Sequence, residues 1–323
     1  MWRWLLLCLC LPVMAAQQTV VLLYHHVAED SPFSTSTRPD DFRAHLEHLK
    51  QGGFTVVPLS QAIAAAKGEA QVPDKAVAIT FDDGYRDIAE NAAPLLAQYG
   101  YPYTLFVNPA SLGAPGMMSR ADLAELAQQG ATIANHGWGH PHLTELPLDR
   151  AKAAILDAQQ ALPASPRWLA WPYGEYNGEL QAFLRAEGYV AFGQQSGPMG
   201  PGSDLTALPR FPAAGHYADL ASLKLKLNTL HLPVASSDTE MLRVNGYSPA
   251  LTLTVKAEDA DMGRFNCFFE GQVLDLAIQG QQAQVPALDL PPGRSRVNCT
   301  APSKDQPGRF YWWSQPWLSP KAQ

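Results

Sequence analysis

Charge is scarce in this chain, and what there is leans acidic. Only 16% of the 323 residues are Asp, Glu, Lys or Arg, and 23 basic against 30 acidic residues leave a formal net charge of -7 and a pI near 5.7. That balance excludes the basic footprint of a nucleic-acid-binding protein. Long apolar runs are missing too: beyond Leu5 to Val13, no segment approaches the roughly 20 residues that a membrane-spanning helix needs. Cysteine is limited to Cys8, Cys10, Cys267 and Cys299. Internal repeats and low-complexity tracts are absent. With 46% hydrophobic residues, the composition is that of a folded protein with a large core, long enough for one big domain and a small one.

The N-terminus places Arg3 before the apolar stretch Leu5 to Val13 and then Met14-Ala15-Ala16, small residues of the kind a signal peptidase cuts behind. Residues 1–16 are therefore expected to be a cleaved leader, with no membrane span left afterwards and an exported product, periplasmic or extracellular. Cleavage removes Cys8 and Cys10. The two remaining cysteines, Cys267 and Cys299, suit a disulfide in an oxidising compartment, the alternative being two buried thiols.

From Thr19 to about Leu232, short β-branched or aromatic runs alternate with amphipathic stretches, the signature of repeated strand and helix units around a parallel sheet. Strands are expected at Val20 to Leu23, Phe54 to Val57, Ala76 to Phe81, Tyr103 to Val107, Ala131 to Ala134, Arg167 to Ala170 and Tyr189 to Phe192. Phe42, Leu46 and Leu49 mark one helix face, and Ser119 with Asp122 reads as the start of another. The fold class is α/β: a distorted (β/α) barrel of about seven strands over residues 17–235, followed by a small β-sandwich-like domain over 236–323 that Cys267 and Cys299 would staple. Trp312, Trp313 and Trp317 in that second part belong to its core more readily than to a sugar-stacking surface.

Chemistry concentrates at the ends of the expected strands. The run Val77 to Phe81 stops at two adjacent carboxylates and a glycine, Asp82-Asp83-Gly84. Adjacent carboxylates repel, and a bound cation is the obvious reason to hold both at one strand end, although Asp and Gly are also ordinary turn residues. Behind the strand at Ala131 to Ala134 comes Asn135-His136-Gly137-Trp138-Gly139-His140-Pro141-His142, in which two histidines four apart on a glycine-bearing turn can converge on one ion. One carboxylate and two imidazoles leave positions for water and substrate, as a catalytic site requires. Leu23-Tyr24-His25-His26 ends the first strand, and Pro172-Tyr173-Gly174 follows another. Taken singly, His25 could be a satisfied core histidine and the latter an ordinary turn.

On Thr80-Phe81-Asp82-Asp83-Gly84, His136 to His140 with Pro141 and Leu143, Pro172-Tyr173-Gly174 and Leu23-Tyr24-His25, about two thirds of the chain resembles the polysaccharide deacetylase family, carbohydrate esterase family 4. The resemblance implies a distorted (β/α) barrel that removes N-acetyl groups from sugar polymers with a divalent metal, usually zinc. It implies Asp83, His136 and His140 as metal ligands, Asp82 as general base, His25 as general acid, and the backbone N–H of Tyr173, beside Pro172, as an oxyanion donor. Trp138, Trp171 and Tyr176 would line the groove. The histidine strand stands first, as in the circularly permuted branch that includes exported deacetylases of poly-β-1,6-N-acetylglucosamine. Two departures stand out: Gly137 replaces the family's Ser or Thr, and Ala170 stands where an arginine partner for Asp82 is usual. The carboxylate orienting His25 is left open among Asp40, Asp41 and Asp204.

The expected function is a secreted metal-dependent N-deacetylase of an N-acetylglucosamine-containing polysaccharide, its partner being that polymer. The alternatives are a carbohydrate-binding protein on a degenerate deacetylase scaffold, suggested by the missing arginine, and a metal-dependent esterase acting on O-acetylated sugar. Linkage, native metal and oligomeric state are left open.

Overall fold

The computed structural model describes residues 15–162 and 165–320. The expected leader lies outside the described residues apart from Ala15 and Ala16, which pair with Val72–Pro73.

Seven parallel strands build a curled sheet, a half-barrel: β1 (Val20–Tyr24), β2 (Ala76–Phe81), β3 (Thr104–Val107), β4 (Thr132–Asn135), β5 (Trp168–Ala170), β6 (Val190–Phe192) and β7 (Phe211–Pro212). Their spatial order is β6-β5-β4-β3-β2-β1-β7. β1 and β2 are buried along their whole length, which is why they read as continuous apolar runs with no polar alternation. One face (Val20, Leu22, Tyr24, Val77, Ile79, Phe81, Leu105) packs on helices that include α1 (Pro39–Gln51), whose Phe42, Leu46 and Leu49 are fully buried as their spacing requires. The other face (Val21, Ala78, Phe106, Ala134, Phe192) packs with Ile63 and Ala66 of α2 (Leu59–Ala66).

Further helices are α3 (Ala93–Tyr99), α4 (Arg120–Gln128), α5 (Leu148–Ala161), α6 (Gly178–Ala186) and α7 (Leu220–Leu227). Ser119 caps α4 as expected: its Oγ accepts from Asp122 N–H at 3.1 Å while Asp122 Oδ2 accepts from Ser119 N–H at 2.7 Å.

Two strand assignments change. The run at Phe54 to Val57 contributes only Thr55–Val56, half exposed beside Ala76 and Val77 of β2, because β3 takes the same edge of β2 from Thr80 onward. The seventh strand is β7, two residues ending in proline that pair with Leu22 and Leu23. So short a run carries no periodicity to read.

Beyond α7 the chain forms two antiparallel-rich sheets around a core of Leu251, Leu253, Val285, Val297, Trp317 and neighbours. The dominant hairpin is β8 (Gly293–Pro302) with β9 (Phe310–Ser319). Trp317 is fully buried, as the core reading requires. Pairing begins at Thr229–His231, which lies parallel to β9 ahead of the expected boundary at residue 236. Cys267 and Cys299 face each other across adjacent strands and are disulfide-bonded. Among the described residues, no helix is long and apolar enough to cross a membrane.

Candidate metal centre

Parallel strands deliver their C-terminal ends to one rim, and the expected chemical groups gather there. Asp82 and Asp83 leave β2, His136 leaves β4, His25 leaves β1, and Pro172–Gly174 leaves β5. Asp83, His136 and His140 each bring one donor atom to a common point, all within 4.8 Å of one another. Asp83 Oδ1 is 3.2 Å from His136 Nε2 and 3.5 Å from His140 Nε2. The buried ring of His136 is fixed by its Nδ1, which donates to the Ala170 carbonyl at 2.8 Å and so leaves the Nε2 lone pair for an ion.

Five described non-glycine residues adopt positive φ, and three of them are Asp83 (74°), His140 (49°) and Tyr173 (58°). Such conformations cost about 1–3 kcal/mol each and persist where the surroundings impose them. Here they aim side chains at one point. Gly137 also has φ +74°, and an added Cβ would stand 3.3 Å from Pro172 Cγ, so the turn between the histidines packs directly on the Pro172 turn.

The electrostatics suit a cation. Burial opposes the charged form of Asp83, yet the His136 hydrogen bond and the nearby imidazoles hold its carboxyl well below the usual range. Burial likewise opposes imidazolium at His136, but Asp82 and Asp83 outweigh it and hold that ring above the ordinary histidine value. A divalent ion placed on Nε2 would take over from that proton. His140 is lowered to about 4 by burial and by His136, so its lone pair is available at neutral pH. One carboxylate with two imidazoles is a donor set that fits zinc and leaves open positions.

Asp82 is fully buried and held by Arg210, whose Nη1 and Nη2 donate to Asp82 Oδ1 and Oδ2 at 2.7 Å each. The guanidinium also donates to Thr80 Oγ1 at 3.2 Å and, through Nε, to the Gly193 carbonyl at 3.1 Å. Burial pushes the Asp82 carboxyl up, but Arg210 overrides it and keeps the group below the usual carboxylate range. The arginine absent at Ala170 is thus supplied from another strand, immediately before β7. Its trace in the sequence is that Arg210 is the sole charged side chain between Asp204 and Asp219. A lone charge in an apolar run needs a partner.

His25 is half-buried, and burial holds its pKa below the ordinary histidine value while Asp82 and Asp83 pull it up and Arg210 and His136 push it down. All four therefore lie within electrostatic reach of its ring. Among the described residues none of the three aspartates considered for it hydrogen-bonds its ring: Asp204 is engaged with Gln181, Arg185 and Thr206, and Asp40 and Asp41 stand in the first turn of α1. The neighbouring His26 instead binds Asp87 through Nδ1 at 2.7 Å and stacks on Tyr85.

The ring of Tyr173 meets His140 at 4.4 Å and stacks on His142 at 3.9 Å and 6°. Its backbone N–H donates to no protein group among the described residues. Trp171 and Tyr176 are not groove residues. Trp171 is fully buried with Nε1 on the Thr206 carbonyl at 2.8 Å, and Tyr176 packs against it at 3% exposure, because the strand after Trp168 points these rings into a core formed with α5 and α6. Trp138 is 41% exposed and shares a shallow recess with Asp157 and Gln160 of α5.

Residues 69–192 match the family model for polysaccharide deacetylase. The Bacillus subtilis (strain 168) protein YxkH is 26% identical over 173 residues, 52% of this chain and 61% of that protein, so the chain spans less than two thirds of it. The poly-β-1,6-N-acetyl-D-glucosamine N-deacetylase of Staphylococcus epidermidis is 24% identical over 230 residues, 59% of this chain and 77% of that one. Among solved structures, Streptococcus pyogenes deacetylase PplD superposes with a TM-score of 0.59 at 22% identity, over 65% of this chain and 98% of that one, a likeness of fold. The matched stretch holds Asp82, Asp83, His136, His140 and the Pro172 turn, while His25 and Arg210 fall on either side of it.

Proposed function

We propose, proceeding from the polysaccharide deacetylase domain that this chain carries, that the protein removes N-acetyl groups from a polymer containing N-acetylglucosamine. The observation that carries this reading is the convergence of Asp83, His136 and His140 within 4.8 Å beside a carboxylate pinned on both oxygens by a buried arginine. The three would hold one divalent cation, zinc by preference. When bound, it supplies Lewis-acid polarisation of the acyl oxygen and lowers the pKa of water to about 7.

An N-acetyl amide resists neutral water, so the remaining groups must move protons and meet developing charge. Asp82, kept ionised and immobile by Arg210, takes the proton of the attacking water. His25, in the field of both carboxylates, protonates the departing sugar nitrogen. Each such proton transfer contributes about 100- to 10,000-fold. The uncommitted N–H of Tyr173 donates to the acyl oxygen as it gains charge.

Arg210 removes the reason for preferring a binding protein on a degenerate scaffold, since the base has its partner after all. The leader expected at residues 1–16 and the Cys267–Cys299 disulfide support export to an oxidising compartment. The division we adopt runs through α7 for the barrel and from Thr229 for the C-terminal unit.

The test is acetate release from partially acetylated chitosan, β-1,6-linked glucosamine oligomers, peptidoglycan and acetylxylan, with and without chelator. Chelator-sensitive release from an N-acetylated polymer is expected. Release from acetylxylan alone would move the reading to an O-acetyl esterase, and no release from any polymer by metal-loaded protein would end it.

A further inference from the structure

The C-terminal sheet reaches the Pro172–Gly174 turn through Arg294. Along β8, Ser295, Val297, Cys299 and Ala301 are buried, which places Arg294, Arg296 and Asn298 on the opposite face. That face is turned to the barrel: Ser314 Oγ lies 2.7 Å from Asn298 Oδ1 and donates to the Ser196 carbonyl at 2.6 Å. On the same face Arg294 Nη1 donates to the carbonyl of Tyr173 and lies 3.3 Å from Gln194 Oε1.

Behind the turn sits Glu175, 4% exposed. Its Oε1 is 3.8 Å from Arg294 Nε, and its Oε2 is 2.7 Å from Nδ1 of His142, the ring that stacks on Tyr173. One buried carboxylate therefore links two grips on Tyr173, His142 on its ring and Arg294 on its carbonyl. Tyr173 needs holding, since its φ of 58° is one that a non-glycine residue adopts only under constraint. Gly174 allows the close approach behind it, where an added Cβ would stand 2.9 Å from Gln194 Cβ. A cleft of about 510 Å³ opens beside the turn, and Tyr173, Gln194, Arg294 and Arg296 are among its lining residues.

We propose that Arg294 is a positioning residue for the reaction: through the Tyr173 carbonyl it fixes the turn so that the Tyr173 N–H faces the acyl oxygen, which makes the C-terminal sheet a working wall of the site. The inference rests on the deacetylase reading, so its test includes a measurement that does not require turnover. Neither His142 nor Glu175 can substitute, because neither touches the backbone carbonyl.

The experiment compares wild type, Arg294→Ala and Arg294→Lys. In Arg294→Ala, kcat should fall about 10- to 100-fold, within the loss seen when an oxyanion donor is misplaced, with KM changing less than about threefold and metal content unchanged. Arg294→Lys, which keeps one donor, should recover part of the loss, and added guanidinium should partly rescue Arg294→Ala. In parallel, amide exchange over residues 171–176 should quicken by about tenfold or more in Arg294→Ala with the rest of the barrel unaffected. Unchanged exchange at the turn, or kcat within about twofold of wild type despite quickened exchange, would overturn the proposal. If wild type releases no acetate from any polymer, the deacetylase reading fails by itself. Exchange alone then decides whether Arg294 holds the turn.

Discussion

Replacing Arg210 with glutamine leaves a fully buried carboxylate without the guanidinium that binds both its oxygens. Asp82 and Arg210 are both 0% exposed and joined by two hydrogen bonds of 2.7 Å, so solvent screening offers no relief. Removing one member of such a pair costs about 3–5 kcal/mol, mostly the penalty on the charge left behind. At about 2–4 °C per kcal/mol, Arg210→Gln should melt roughly 6–20 °C below wild type in chelator-treated protein. The sign with pH follows from Asp82. In wild type its pKa lies below the unfolded value, so the pair stabilises at neutral pH and that contribution is lost as pH falls through the folded pKa. In the variant the buried carboxyl shifts above the unfolded value, so the deficit is greatest near pH 7 and shrinks as pH falls through that raised value towards the wild-type folded pKa, below which Asp82 is neutral in both proteins. Calorimetry on wild type, Arg210→Gln, Asp82→Asn and the double variant supplies the decisive cycle. The double variant should be more stable than the sum of the single losses by several kcal/mol. Additive losses, or an Arg210→Gln that melts with wild type at pH 7, would refute the reasoning.

Asp82→Asn should retain metal and lose about 100- to 10,000-fold in kcat, and acetate release within a few-fold of wild type would take the base role from Asp82. His25→Ala should slow turnover at unchanged metal content, and unaffected single-turnover kinetics would move the acid to His26, whose ring is bound to Asp87. Replacing Cys267 and Cys299 together with alanine should cost roughly 3–4 kcal/mol, the loop-closure value for a separation of 32 residues, with metal content intact. Equal melting of oxidised and reduced wild-type protein would contradict that stabilisation.

The cluster of Asp83, His136 and His140 and the buried Asp82 beside it were legible because their residue types announce themselves: adjacent carboxylates at the end of an apolar run, and two histidines spaced by turn glycines. The half-barrel was legible for the same reason, since β1 and β2 are long, buried on both faces and unbroken. Arg210 was not, because its partner lies 128 residues away and its own strand is only Phe211–Pro212, too short to show a period. Glu175 escaped notice because a carboxylate after a Pro-Tyr-Gly turn looks solvated, and only the fold brings His142 and Arg294 against it. Trp171 and Tyr176 misled in the opposite direction. Aromatics beside a strand end suggest sugar stacking, but which face of the strand is buried depends on α5 and α6 packing over it.

X-ray absorption at the zinc edge, on protein loaded with one equivalent of zinc, tests the shared ion most directly. One ion with two nitrogen neighbours near 2.0–2.1 Å and protein oxygen near 2.0–2.2 Å, lost in Asp83→Ala, His136→Ala and His140→Ala alike, is the expected result. An ion that stays bound in the same shell when any of those three side chains is removed would contradict it.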